Sequence, residues 1–92
     1  MIRSFKDAET EKIFGRCRSR RFAGVENRIL RKLLAIHAAE QLVELTIPPG
    51  NRLEALKGDR KGQHSIRVNN QFRICFRWEE SDAHEVEIVD YH

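Results

Sequence analysis

Apolar residues recur with a helical period before Pro48 and with a period of two after His64. Phe72, Ile74, Phe76 and Trp78 alternate with Arg73, Cys75 and Arg77. That pattern predicts a strand with one apolar and one cationic face. Ser65 to Asn69 predicts the strand before it, and Asn69-Asn70 the turn between them, because Asn tolerates left-handed backbone angles. Glu80-Ser81-Asp82-Ala83 predicts a second turn and Glu85 to Val89 a last strand. Two short connections in succession imply an antiparallel meander.

Upstream, Val25, Ile29, Leu33 and Ile36 recur at helical spacing, with Leu30 and Leu34 widening the stripe. They predict a helix from about Gly24 to Leu45, stopped by Pro48-Pro49-Gly50-Asn51. A shorter helix is predicted after Asp7, an N-cap residue followed by Glu9 and Glu11 in the first turn. Ile13 and Phe14 give it an apolar side, and Gly15 ends it. Ile2 to Phe5 alternates weakly and predicts a short first strand. His37 is expected to flank the core rather than bind a ligand. The expected fold is therefore α+β, in the order β-α-α-β-β-β, with no C-terminal helix. Two N-terminal helices cover one face of a small, mainly antiparallel sheet through Ile66, Val68, Phe72, Ile74, Phe76, Val86 and Ile88. Arg67, Arg73, Cys75 and Arg77 are expected on the opposite, open face, where a polyanion would lie.

Ninety-two residues fill one domain, 1–92, with a single core. Charged residues make up 34%, and no apolar run approaches the roughly 20 residues of a membrane span. Met1 to Lys6 lacks the apolar middle of a signal peptide. Cys17 and Cys75 form neither a metal-ligand spacing nor a disulfide framework. A cytoplasmic protein without metal, cofactor or membrane partner is expected. The net charge of +3 hides a polarity. Residues 52–77 hold seven Lys/Arg against two Asp/Glu, whereas residues 78–92 hold none against six. Basic segments attract nucleic acid through phosphate contacts and counterion release.

The chemistry-bearing residues lie in two places. Asp90, Tyr91 and His92 follow the last predicted strand, and all three side-chain types accept or donate protons. Strict alternation sends Asp90 and His92 to one side of that strand and Tyr91 to the other. Convergence of the three requires a bend after Val89. Lys57-Gly58-Asp59-Arg60-Lys61-Gly62 is a basic loop whose glycines let backbone N–H groups approach a phosphate. It lacks the P-loop pattern. With Arg52, Arg67 and Arg77, Arg60 and Lys61 are the candidate nucleic-acid- and phosphate-binding residues.

The segments Arg52 to Gly58, Gly62 to Asn69, Gln71 to Phe76 and Val86 to His92, together with Ile2-Arg3-Ser4-Phe5, resemble the HigB branch of the RelE/ParE toxin superfamily. The resemblance spans essentially the whole chain. It implies a toxin of a bacterial type II toxin–antitoxin pair that cuts mRNA on the translating 70S ribosome. It also implies a helix-turn-helix, HigA-like antitoxin as partner, with operator DNA reached only through that antitoxin. Lys57, Arg73, Asp90, Tyr91 and His92 match positions of the family active site. Several relatives carry a histidine just before the Leu-Lys-Gly turn, where this chain has Glu54. Cleavage is expected to use the substrate's own 2′-hydroxyl. Lys57 and Arg73 would steady the phosphorane charge, Asp90 and His92 would act as acid and base, Glu54 would be the reserve base, and Tyr91 would stack on a nucleobase or help position the phosphate. Two alternatives are a gyrase inhibitor, as in the ParE branch, and a ribosome- or RNA-binding module without catalysis.

Overall fold

A computed structural model describes residues 1–90. Helices α1 (Ala8–Phe14) and α2 (Glu26–Ala38) pack on a four-stranded sheet of β1 (Glu54–Ala55), β2 (Gln63–Arg67), β3 (Phe72–Glu79) and β4 (Asp82–Asp90). The strand order is β1-β2-β3-β4, and each neighbouring pair is antiparallel. The core joins Ile13, Ile29, Leu33 and Ile36 of the helices to Ile66, Ile74, Phe76, Val86 and Ile88 of the sheet. No helix among the described residues is long and apolar enough to cross a membrane.

Helix α1 starts where Asp7 accepts the Thr10 N–H at 2.7 Å, which satisfies one of the orphan donors of the first turn. Gly15 caps its other end, and the left-handed residue is the next one, Arg16, at φ 66°. The N–H groups of Arg16 and Cys17 return to Ile13 and Lys12 carbonyls at 2.9 and 2.8 Å, a Schellman closure. The basic segment that follows, Arg16-Cys17-Arg18-Ser19-Arg20-Arg21, is fastened by carboxylates. Ser19 donates its hydroxyl to Glu9 at 2.7 Å and its N–H to Glu26 at 3.3 Å. The Ser19 hydroxyl is the leading cause that holds the Glu9 carboxyl below its ordinary range, and the Glu26 carboxyl is lowered first by its own backbone N–H and then by that of Ser19.

Several elements differ from expectation. Helix α2 stops at Ala38, seven residues before Leu45, and a 3-10 turn follows over Leu42–Thr46. The Glu44 carboxylate accepts the N–H groups of Glu40 and Gln41 at 2.9 and 2.7 Å. That side chain takes donors a continuing helix would need for its own ladder. The first strand is reduced to two isolated parallel bridges, Ile2 to Ala83 and Phe5 to Val86. It runs along the outer edge of β4, and Ile2 donates its N–H to Nδ1 of His37 at 3.1 Å. The edge strand β1 was not expected at all. Two residues are too few to display a period.

The hairpin between β3 and β4 turns on Glu80 and Ser81, both at positive φ (49° and 68°), the backbone of a two-residue type I′ turn. The strands therefore run right up to the turn, and β4 begins at Asp82 rather than Glu85. Cys75 faces Glu87 and Arg77 faces His84, so Glu85 and Val86 together oppose Phe76. This is a β-bulge, with Glu85 at φ 54° and its N–H given to the Ser4 hydroxyl at 2.8 Å.

Candidate functional site

The sheet face away from the helices is not open at its centre. Arg73 retains only 8% of its side-chain exposure, and Cys75 is fully buried. Two features surround the Arg73 guanidinium. Strand β1 pairs Glu54 with Ser65, and the chain enters β1 through Arg52, in the left-handed region at φ 46°, ψ 56°. This kink turns the Arg52 carbonyl onto Arg73. Arg73 Nη2 donates to that carbonyl at 2.6 Å and to the Ser65 carbonyl at 3.3 Å, while Nε donates to the Ser65 hydroxyl at 2.8 Å. These bonds offset the cost of burying a guanidinium. The Glu54 carboxylate completes the arrangement, 3.8 Å from Nη2 and itself about half exposed.

The other candidates divide by position. Arg67 stands opposite Arg73 across β2 and β3, and its guanidinium donates to the Asn70 side chain. Arg52, Lys57 and Lys61 are exposed. Lys57 precedes the short 3-10 turn Gly58–Arg60. Arg52, Glu54, Arg67 and Arg73 therefore lie toward one end of the sheet, whereas Lys57, one residue past the Leu56 N–H bond to Gln63, lies toward the other. Arg60 is engaged elsewhere: it bonds Gln63 at 3.1 Å and Glu87 at 3.0 Å, and Glu87 also holds Lys6 at 3.3 Å. Arg77 lies about 13 Å further along β3 at strand rise. It pairs with Glu79 and Glu85 at 3.6 and 3.7 Å. The expected continuous cationic face thus resolves into one buried, scaffolded guanidinium, one exposed basic end and two arginines matched by carboxylates.

Strand β4 stays in register through Asp90, which faces Phe72. Alternation gives Asp90 the helix-facing side, with Ile88, and its carboxylate accepts from the Gln71 amide at 3.1 Å. Glu54 and Arg73 occupy the other side. The chain makes no bend before Asp90. Tyr91 and His92 lie outside the described residues.

Several contributors were not legible in the sequence. Ser65 had appeared only as the start of a strand, although it shares the cationic face with Arg67 by parity. Asn51 had been read as part of a helix stop. It is buried, donates to the carbonyls of Leu45 and Ile47 at 3.2 and 3.3 Å, and accepts from the Lys32 ammonium of α2. Asn51 thereby pins the segment that delivers Arg52 and Glu54. Burial, reinforced by Arg31 and Arg28, lowers the Lys32 pKa. Cys75 is an unsuitable nucleophile, because burial pushes its thiol pKa up.

Comparison with known proteins agrees with this architecture. A family described as "RelE-like toxin of type II toxin-antitoxin system HigB" matches residues 3–92. Toxin HigB-1 of Vibrio cholerae serotype O1 is 42% identical over 80 residues, covering 85% of this chain and 84% of that protein. Endoribonuclease HigB of Proteus vulgaris is 34% identical over 93 residues, covering 100% of both. The fold resembles a chain of the YoeB-YefM complex from Staphylococcus aureus, with a TM-score of 0.56 at 15% identity, covering 100% of this chain and 98% of that one. Matched along nearly its whole length, the chain belongs to the HigB family of RelE-like toxins of type II toxin–antitoxin systems.

Proposed function

We propose that this toxin is an endoribonuclease that cuts mRNA on the translating ribosome, with Glu54 and Arg73 at the centre of its site. The supporting observation is their pairing at 3.8 Å, a half-exposed carboxylate beside a buried guanidinium. A cation fixed in a water-poor setting exerts a stronger field on developing phosphorane charge than a solvated one. The relative named an endoribonuclease aligns with the whole chain.

In this reading the 2′-hydroxyl oxygen attacks phosphorus and the bond from phosphorus to the 5′-oxygen breaks. The base takes the 2′ proton and the acid returns one to the leaving oxygen. The products carry a 2′,3′-cyclic phosphate and a 5′-hydroxyl. Glu54 moves from reserve to leading base, because it lies 3.8 Å from Arg73, whereas Glu87 on the same face is engaged by Arg60 and Lys6. Asp90 and His92 remain the candidates for the acid, and Tyr91 for base stacking. Lys57, with Arg52 and Arg67, guides the phosphate backbone. Arg60 and Arg77 contribute less, since carboxylates already engage them. The antitoxin partner that follows from family membership is of the helix-turn-helix, HigA-like kind, and the toxin acts in the cytoplasm.

Primer extension on an mRNA translated with purified toxin tests the proposal. Cuts are expected with ribosomes and not without them, and they should weaken by at least about a hundredfold in E54Q and R73A, the scale of removing a proton-transfer or charge-stabilising group. An H92A variant probes the acid. Intact RNA with wild-type toxin and ribosomes would refute the enzyme. Undiminished cutting by E54Q would remove Glu54 from the mechanism.

A further inference from the structure

We infer that Ser65 is a positioning residue for RNA cleavage, acting through Arg73. The inference rests on the reading of Glu54 and Arg73 as the centre of the site. Ser65 is completely buried. It is the residue of β2 that faces both Glu54 on β1 and Cys75 on β3. It therefore sits in the row beside Arg73, and contributes two acceptors to the same guanidinium. Its hydroxyl takes the Nε hydrogen at 2.8 Å, and its carbonyl lies 3.3 Å from Nη2. The Arg52 carbonyl adds a third acceptor at 2.6 Å.

The consequence is geometric. A guanidinium is a rigid planar fork, so acceptors on Nε and on Nη2 fix its plane as well as its centre. The carbonyls come from the backbone and survive any substitution. The Ser65 hydroxyl is the one acceptor of the three supplied by a side chain. Without it, the Nε–H loses this acceptor and the plane of the fork is held less firmly. The Glu54 carboxylate, 3.8 Å from Nη2, then loses its fixed partner. The effect falls on alignment in the transition state rather than on docking to the ribosome, because neither Ser65 nor the Nε edge of Arg73 is exposed.

The experiment compares S65T with S65V in the full-length toxin on ribosome-bound mRNA. The two replacements have the same shape and differ only in the hydroxyl, so any packing cost is shared. Single-turnover cleavage at saturating ribosome should be about tenfold slower in S65V than in S65T, the usual scale for one hydrogen bond to a charged group. The half-saturating ribosome concentration should agree within about twofold, as expected for a contact made productive only in the transition state. Proton exchange at Arg73 Nε, followed by NMR, should be slow in S65T and fast in S65V.

Equal cleavage rates in the two variants would overturn the inference. So would a slower S65V whose Nε proton still exchanges slowly, or a difference expressed only in half-saturation. Absence of cutting by the wild-type toxin is a separate outcome, and it overturns the nuclease reading together with this one.

Discussion

Asn51→Ala should destabilise the toxin well beyond its size. The side chain makes two bonds to backbone carbonyls, those of Leu45 and Ile47, and receives the Lys32 ammonium. Each neutral bond is worth about 1 kcal/mol and the charged one about 1.5–3. Lys32 is only partly buried and recovers some hydration, so the sum is taken at about 3 kcal/mol. A chain of this length has a total stability of roughly 5–14 kcal/mol. Thermal unfolding followed by circular dichroism should show a fall of about 12–24 °C, at 4–8 °C per kcal/mol for a domain this small. A second variant isolates the charged bond. Asn51→Ala with Lys32→Met removes the ammonium that the single change leaves without its acceptor. The pair should therefore be at least about 1 kcal/mol more stable than the sum of the two singles. A fall of less than about 4 °C for Asn51→Ala would mean that the bonds contribute little. Strict additivity in the pair would refute the coupling to α2.

Two further changes read other parts of the fold. Glu80→Asn with Ser81→Gly should raise the unfolding temperature by about 4–8 °C, because it relieves two left-handed non-glycine residues in a type I′ turn; no gain would show that this turn carries no strain. His64 stacks on Phe76, its Nδ1 is buried without a hydrogen-bond partner among the described residues, and burial lowers its pKa below 6.5. The unfolded chain thus binds the proton more readily than the native state does. Stability should be complete above about pH 6.5 and decline as pH falls through the lowered native value. Urea midpoints measured from pH 7.5 to 5 should show that decline, and His64→Phe should flatten it; an unchanged slope would place the effect elsewhere.

Much of the fold was legible because periodicity reports which way side chains face. The alternation from Phe72 to Trp78 located β3, and its partners followed from short connections. Periodicity says nothing of what lies on top of a face. Arg73 was correctly assigned to the side away from the helices, yet its burial depends on β1 and the left-handed Arg52, features of two and one residues. The early end of α2 had a local signature in Gln41 and Glu44, a capping-box spacing with Gln in an unusual role. It was hidden by good helix formers on either side. Glu54 looked like the weak point of the site because a histidine was expected there. In space it is the carboxylate that meets Arg73.

The bulge at Glu85 has an evolutionary side. Ala83 and Val86 are both buried although they stand three positions apart, so the strand changes phase between them. Removing Glu85 alone would bring Val86 opposite Phe76 and restore unbroken alternation from Ala83 to Asp90, with every core residue in place. The residue reads as an insertion absorbed by the strand. What holds it is peripheral: the Ser4 hydroxyl on its N–H and Arg77 near its carboxylate. Position 85 is therefore where homologous toxins can differ in length within a strand and still share this core, and an alignment gap there would carry no functional meaning.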